Sequence, residues 1–457
     1  MSFSKTMATV HTTELKKLPG GIHAREHRLV APLDHFAPSE AATVTVFVRE
    51  VVADKHLAKT DLPLLLYLQG GPGFPSPRPT GPPTGWLKRA LDDYRVLLVD
   101  QRGTGLSSPI TAQSMAHLLG DDQALAAYLS HFRADAIVHD VELFRTTVFP
   151  TQTLTLLGQS YGGFCILSYL SFFPTSIERV LFTVGLAPVG AKVDDVYRAT
   201  YAKMAERNRR YYKRYPEDVD RVALIAHHLL SHPARLPGGG TLTARRFATL
   251  GASFGLAGGM ETVHYLLEGA WLDENTLASG FLAGVEALQA GFDTNPIYYF
   301  LHEAIYCDGS AQSPSKWAAE RVHAASGDAF DPARFKTLSF ENSPLYFSGE
   351  MVFSWMAEDY AGLRPFAGAA KVLAAKADWR PLYDVDALRN IAIPGAALIA
   401  YDDVFVDREL SLATARLLGD NLSVFITNEY QHSGLRDDPA IFEKLLKASK
   451  GEVILPS

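Results

Sequence analysis

Short apolar runs alternate with helical patterns through the first 186 residues of the chain. β-Branched alternation or continuous apolar character predicts strands at residues 43–52, 63–69, 95–100, 153–157 and 179–184. The segments between them predict helices at 85–92, 134–147 and 161–172. Strands and helices that alternate at this spacing predict an α/β domain, with a mostly parallel central sheet and helices on both faces.

The alternation stops after about Leu186, and helical patterns and loops follow it. Here the sequence predicts helices at 196–212, 216–230 and 260–267. Strands then return at 395–401 and 422–427, with helices at 410–418 and 440–448. We therefore expect a sheet domain formed by residues 1–186 and 389–457, interrupted by an inserted helical cap at 187–388.

Composition narrows the class of protein. The 457 residues exceed one ordinary domain, and 47% hydrophobic with 20% charged residues is typical of a globular protein. Two cysteines exclude a disulfide framework, and neither lies in a CxxC motif. The net charge of −7 comes without a basic tract, so we expect no nucleic-acid partner. Without a membrane-length apolar segment or a signal-like N-terminus, we expect no membrane partner and a cytoplasmic location; the oligomeric state stays open.

The strongest local motif is Gly158-Gln159-Ser160-Tyr161-Gly162, which has the form G-x-S-x-G. It lies between a predicted strand and a predicted helix, where such a turn forces the serine into a tight elbow and demands small residues around it. The hydroxyl then lies at a helix N-terminus, which stabilises developing negative charge. The sequence thus predicts Ser160 as a catalytic nucleophile; an incidental serine in a glycine turn is the alternative.

A serine hydroxyl is a poor nucleophile without a base that takes its proton. His432 follows the last predicted strand and precedes a glycine, while Asp402 and Asp403 end the strand before it. Serine, acid and histidine then occur in the chain order of α/β-hydrolases. Gapless alignment to a G-x-x-D-x-x-x-P turn of related hydrolases puts Asp403 at the acid and Asp407 at the proline. We predict that Asp403 orients His432, and Asp402 is the alternative.

Two glycine-containing motifs also follow predicted strands. Gln69-Gly70-Gly71-Pro72-Gly73 comes after residues 63–69, and glycines there let the backbone approach a substrate closely. Acyl transfer needs donors for the oxyanion, which we predict to be the backbone N–H of Gly71 or Gly70 and that of Tyr161. The motif DQRGTGLS at 100–107 is given a structural role, with an ion pair of Arg102 that braces the oxyanion loop as the alternative.

The motifs LQGGPG, DQRGTGLSSP and GQSYGG, in this order, resemble those of the prolyl aminopeptidases, also called proline iminopeptidases. The similarity is specific over residues 63–185, returns in YDD and NEYQHSG, and is looser across the insertion. It implies an α/β-hydrolase fold and a serine exopeptidase that removes an N-terminal proline from a peptide, with neither metal nor cofactor. It also implies a cap whose acidic residues bind the α-ammonium group of the substrate.

Two cap segments carry a glutamate among aromatic residues, Glu303 in YFLHEAIY and Glu350 in FSGEMVF. A carboxylate pairs with a protonated amine, and ring faces hold a pyrrolidine. We therefore predict that both glutamates bind the substrate amine; solvated cap glutamates are the alternative. Glu429, three residues before His432, is a further acidic candidate.

Two other functions stay open at this stage. A carboxylesterase or lipase-like hydrolase would use the same three residues on neutral acyl esters, because this fold hosts many reactions. A binding or signalling protein on an inactive hydrolase scaffold belongs to another class, although every triad position is filled. Epoxide hydrolases and dehalogenases use an aspartate nucleophile, so Ser160 argues against them.

Overall fold

The computed structural model describes residues 9–37, 42–325, 327–337 and 344–453. Numbered in chain order, its strands are β1 (Val10–Thr12), β2 (Lys16–Leu18), β3 (Ile22–Pro32), β4 (Thr43–Ala53), β5 (Leu64–Leu68), β6 (Arg95–Asp100), β7 (Leu154–Gln159), β8 (Ile177–Thr183), β9 (Ala234–Arg235), β10 (Thr241–Leu242), β11 (Trp271–Asp273), β12 (Thr276–Leu277), β13 (Gly395–Ala400) and β14 (Leu422–Thr427). Over the described residues, ten of them form one sheet in the order β1-β3-β4-β6-β5-β7-β8-β13-β14, with β2 also paired to β3.

The helices flank this sheet or form the segment between β8 and β13. They are α1 (Gly85–Ala90), α2 (Asp122–Leu129), α3 (Ala134–Val148), α4 (Tyr161–Phe172), α5 (Val193–Arg214), α6 (Asp218–Ser231), α7 (Ala244–Phe247), α8 (Gly259–Glu268), α9 (Ser279–Thr294), α10 (Ile297–Phe300), α11 (Ala318–Ala325), α12 (Met356–Asp359), α13 (Ala367–Ala375), α14 (Val385–Arg389), α15 (Arg408–Leu418), α16 (Gly434–Asp437) and α17 (Ala440–Ser449). Short 3-10 segments lie at Asp54–His56, Pro174–Ser176, Ala248–Gly255, Glu303–Tyr306, Ser310–Gln312, Asp328–Phe330, Pro332–Lys336, Ala361–Phe366 and Gly419–Asn421.

The strand directions confirm the predicted mostly parallel sheet. β5, β6, β7, β8, β13 and β14 run parallel to their neighbours in this group. The N-terminal edge differs, because β3 pairs antiparallel with β4 along its whole length and β4 pairs antiparallel with β6. The sequence pattern did not predict β3, whose residues IHAREHRLVAP interleave charged and apolar side chains.

The central strands are apolar throughout because both faces of the sheet are covered. In β5, Leu64, Leu66 and Leu68 pack into the core beneath α3 and α4. The alternate residues Leu65 and Tyr67 pack into a second core beneath α1 and α17. Since successive side chains of a strand point to opposite faces, a strand between two helical layers must be hydrophobic at every position.

The segment between β8 and β13 carries α5 to α14 and two short hairpins, β9–β10 and β11–β12. Among its described residues, none joins the ten-stranded sheet. The predicted domain limits at 186/187 and 388/389 stay a prediction, although they fall between the end of β8 and the start of β13. In the described part of the chain, no helix combines the length and apolar character needed to cross a membrane.

A buried carboxylate fastens the antiparallel edge to the parallel strands. Glu50 of β4 is fully buried and accepts hydrogen bonds from Arg25 at 2.7 Å, from His27 at 3.0 Å and from Arg95 of β6. Burial alone would raise the pKa of Glu50, but these hydrogen bonds and the charges of both arginines lower it to about 2. One carboxylate therefore joins three neighbouring strands.

We expect Glu50→Gln to lower the free energy of unfolding by about 3 kcal/mol at neutral pH, because the buried Arg95 and the partly exposed Arg25 lose their counter-charge. In the wild type, the contribution of the Glu50 carboxylate to the free energy of unfolding is complete above the ordinary pKa of 4.5. It is lost as pH falls toward the folded-state pKa of about 2. The difference in the free energy of unfolding between the wild type and Glu50→Gln should therefore shrink in acid, as measured by chemical denaturation across that pH range. Glu26→Gln, which removes a partly exposed carboxylate, should cost under about 1 kcal/mol; equal losses would contradict the assignment.

Candidate active site

Ser160 lies in the turn between β7 and α4 and has a φ of 54°. Close backbone contacts surround this turn. A Cβ at Gly162 would lie 1.9 Å from the carbonyl oxygen of Leu68 at the end of β5, and one at Gly163 would lie 2.2 Å from that of Gly185 after β8. The small residues predicted around the serine are thus required by both neighbouring strands. As a result, Ser160 is held at the C-terminal edge of the sheet.

His432 pairs with an aspartate behind it. Its Nδ1 lies 2.9 Å from Oδ2 of Asp403, and both side chains are buried. Oδ1 of Asp403 accepts hydrogen bonds from the backbone N–H groups of Phe405 and Val406 at 2.8 and 3.1 Å. Gln159, next to the serine, donates its side-chain amide to the carbonyl oxygen of His432 at 3.0 Å. These contacts fix the imidazole and its carboxylate relative to the turn that carries Ser160.

The two adjacent aspartates have different partners. Oδ2 of Asp402 accepts from Arg210 at 2.6 Å, whereas Asp403 contacts His432. Asp407, which stands where related turns carry proline, caps α15 by accepting hydrogen bonds from two N–H groups of its first turn. A cap and a proline both suit the start of a helix, so this departure leaves the turn intact. The geometry favours Asp403 as the partner of His432, and its catalytic role stays a prediction.

The predicted oxyanion loop lies against the serine. Gly70 and Gly71 follow β5 and line the same cavity as Ser160. A Cβ at Gly70 would lie only 2.9 Å from the Cβ of Ser160, and Gly71 has a φ of 134° that favours glycine. Tyr161 begins α4, where the first backbone N–H groups have no intrahelical acceptor. The structure thus brings both loop glycines and the N-terminus of α4 next to Ser160.

Two adjacent residues after β6 hold different segments. Gln101 donates its side-chain amide to the carbonyl oxygen of Gln69 at 2.9 Å and so braces the oxyanion loop. Arg102 instead binds Asp140 of α3 through Nε at 2.7 Å and Nη2 at 2.6 Å. The structural role predicted for Arg102 agrees with this bidentate ion pair. The predicted oxyanion loop is braced by Gln101 instead.

Ser160 and His432 open onto one cavity of about 360 Å³ between the sheet edge and the helical insertion. Three aromatic side chains form part of its wall. The ring of Tyr298 lies edge-on to that of Phe74, with centroids 5.3 Å apart, and 5.1 Å from that of Phe292. Such a wall suits a small apolar ring, which gains free energy when its surface leaves water.

One acidic residue faces the same cavity. Glu350 lines it, accepts a hydrogen bond from the hydroxyl of Tyr298, and lies 3.8 Å from Nε2 of His302. Burial would raise the pKa of Glu350, but the neighbouring His302, the charge of His432 and the Tyr298 hydroxyl together lower it. The carboxylate is therefore held in its charged form.

The structure does not bring the other two predicted glutamates into this cavity. Glu303 is buried, and its Oε1 accepts the backbone N–H of Ala319 at 3.0 Å in the first turn of α11. Burial raises the pKa of Glu303. Glu429 is exposed and lines a separate surface groove beside β14. Only Glu350 among the three is positioned to meet a substrate beside Ser160.

Several lining residues were not identified from the sequence. Tyr298 adjoins the aromatic segment around Glu303. The cap sequence has no strand pattern, however, so it does not predict which way the Tyr298 side chain points. Phe74 follows the motif GGPG directly, and this position was the one available signal. Arg436 follows His432 by four residues, is exposed, and lines the cavity.

The charges around His432 act in opposite directions on its pKa. Burial lowers the pKa of His432, whereas the charge and hydrogen bond of Asp403 and the charge of Glu350 raise it. The nearby guanidinium of Arg436 lowers it again. The net effect is a pKa above the ordinary value of 6.5, so the imidazole is charged over the mildly acidic range.

Comparison with known proteins defines the class first. Residues 63–253 match the family model described as the alpha/beta hydrolase fold. The sheet order and the serine turn agree with this match, so the chain is an α/β hydrolase.

Full-length relatives define the family. The chain is 45% identical over 432 residues to the proline iminopeptidase of Aeromonas sobria, covering 94% of this chain and 97% of that protein. It is 35% identical over 436 residues to the proline iminopeptidase aneH of Aspergillus aculeatus, covering 93% and 94%. The chain belongs to the proline iminopeptidase family. Among solved structures, the proline iminopeptidase of Mycobacterium smegmatis aligns over 93% of this chain and 100% of its own, with a TM-score of 0.43 and 11% identity.

The pairing of His432 can be measured by its titration. We expect the His432 ring to titrate above pH 6.5 and to titrate at lower pH in Asp403→Asn, because the charge and hydrogen bond that stabilise the imidazolium are weakened. NMR of ring-labelled histidine, assigned with His432→Gln, gives both values. Asp402→Asn is the matched control, since that carboxylate pairs with Arg210; a larger shift in this variant would contradict the assignment.

Proposed function

We propose that the protein is a serine exopeptidase that releases N-terminal proline from peptides with a free amino terminus. The observation that carries this proposal is that a charged carboxylate, Glu350, lines the same aromatic-walled cavity as Ser160 and His432. A protonated N-terminal amine supplies the matching charge, and the pyrrolidine ring matches the aromatic wall. The relatives named proline iminopeptidase support the same substrate.

In the proposed mechanism, Ser160 attacks the carbonyl carbon of the first residue while His432 takes the hydroxyl proton. The bond from Nδ1 to Asp403 keeps Nε2 available as the acceptor and stabilises the imidazolium that forms. Backbone N–H groups of the Gly70–Gly71 loop and of Tyr161 bind the oxyanion. His432 then gives its proton to the leaving amine as the peptide bond breaks. Water attacks the prolyl ester with His432 again acting as base, the ester bond breaks, and the proton returns to Ser160 as proline leaves.

Glu350 restricts this chemistry to the end of a chain. Its carboxylate pairs with the amine one residue before the scissile bond, so an acylated amine loses the ion pair and must place its acyl group against the cap wall. Glu303 enters the proposal only indirectly, because its contact with Ala319 supports the start of α11.

We propose a cytoplasmic setting for this activity. Both cysteines, Cys165 and Cys307, are buried and unpaired, as they are in proteins kept under reducing conditions.

The amine requirement is tested with proline-β-naphthylamide and its N-acetyl derivative. We expect the wild type to favour the free amine by at least about a hundredfold in kcat/KM, because a charge-assisted contact and space for the acyl group are both lost. Glu350→Gln should reduce that preference by about tenfold or more. Glu429→Gln is the matched control, outside the cavity. Equal turnover of both substrates by the wild type would contradict the amine anchor.

The role of Ser160 is tested with a fluorophosphonate probe. We expect covalent labelling of the wild type and none of Ser160→Ala, because the probe needs an activated hydroxyl. Ser253→Ala is a useful control, since Ser253 lines the same cavity without a histidine–aspartate pair. Mass spectrometry that located the label at another residue would reject Ser160 as nucleophile.

A further inference from the structure

The cavity beside Ser160 carries one permanent charge of each sign. Among the described residues that line it, Glu350 is the one carboxylate and Arg436 is the one arginine or lysine. The amine of the proposed substrate accounts for Glu350. Nothing in the cleavage of the proline bond itself requires Arg436, so its charge is left without a role.

Arg436 also lacks a partner within the protein. Over the described ranges, its guanidinium forms no ion pair, side-chain hydrogen bond or ring contact. The acidic residues next to it in the chain are engaged elsewhere, because Asp437 accepts the hydroxyl of Ser433 and Asp438 accepts that of Tyr430. An exposed arginine that lines a cavity, with its donors free, is available to an anionic group of a ligand.

The two charges lie against different walls. Arg436, in α16 of the sheet domain, acts electrostatically on His432 and on the hydroxyl of Tyr67. Glu350 is held by Tyr298 and contacts His302, both from the helical insertion. Both charges line the cavity that also contains Ser160, so a ligand that pairs with both spans that cavity from the cap side to the core side.

We propose that Arg436 binds the C-terminal carboxylate of short peptides, so that dipeptides with N-terminal proline are a favoured substrate class. This inference rests on the proposed function. A zwitterionic dipeptide has an ammonium on one side of its single peptide bond and a carboxylate on the other, which matches Glu350, Ser160 and Arg436. At about 360 Å³, the cavity is at the small end of the range for ligand pockets, as a substrate of two or three residues requires.

The test compares prolylglycine with prolylglycinamide, which differ only in the terminal charge. We expect Arg436→Gln to lower the ratio of kcat/KM for the acid to that for the amide by about two- to fivefold, the usual range for an exposed charged contact. Arg436→Lys should restore part of the ratio, because lysine keeps the positive charge but cannot donate the two parallel hydrogen bonds of a guanidinium to a carboxylate. Added salt should lower the ratio in the wild type and have little effect on it in Arg436→Gln.

Arg389→Gln is the matched control, since Arg389 is an exposed arginine of α14 that pairs with Asp386 and does not line the cavity. An unchanged ratio in Arg436→Gln overturns the inference. If the ratio is unchanged because kcat/KM falls equally for acid and amide, Arg436 acts only through His432. If neither prolyl substrate is cleaved while neutral esters are, the proposed function itself fails. Cleavage of both with no dependence on Arg436 leaves that function standing and removes only this inference.

Discussion

The active-site edge depends on how closely three strand ends approach one another. Backbone atoms after β5, β7 and β8 are in contact around Ser160, so that a single added Cβ at Gly162 would overlap the carbonyl of Leu68. At Gly70 the same closeness brings the oxyanion loop against the serine Cβ. The backbone that carries the Ser160 hydroxyl is thus fixed, and the cost of placing this residue is met during folding rather than during reaction.

The histidine and the aspartate inherit their positions from the register of the sheet. β13 pairs in parallel with β8 and β14 with β13, so the residues that follow each strand emerge at one edge. Asp403 follows β13 and His432 follows β14, which places them side by side although 28 residues separate them. Two helical layers cover the strands and keep this register, because a slip by one residue would turn buried side chains to the wrong face.

Much of this arrangement was predictable from the sequence, because strand patterns and glycine turns obey local rules. The elements at Arg95–Asp100, Tyr161–Phe172 and Leu422–Thr427 coincide with their predicted bounds. Asp403 could be preferred over Asp402 from a turn motif. Its carboxylate lies 2.9 Å from Nδ1 of His432, and its catalytic role stays a prediction.

The cap was less predictable, since helical periodicity fixes neither the direction of a helix nor its partners. Glu303 and Glu350 occupy similar aromatic segments, yet one supports α11 and the other faces the cavity. The strand Ile22–Pro32 escaped prediction because its charged residues meet partners on neighbouring strands, such as Arg25 with Glu50. Tertiary pairing of this kind leaves no local pattern.

The charge of Glu350 raises the proton affinity of His432 from within the same cavity. Thermodynamic linkage then works in both directions: a cation that neutralises Glu350 makes the imidazole more acidic by the same free energy by which protonation of His432 weakens the binding of that cation. In the proposed mechanism, an ammonium group that pairs with Glu350 would therefore lower the pKa of the base that acts on its own peptide bond. Substrate binding would then favour the neutral, reactive imidazole in mild acid.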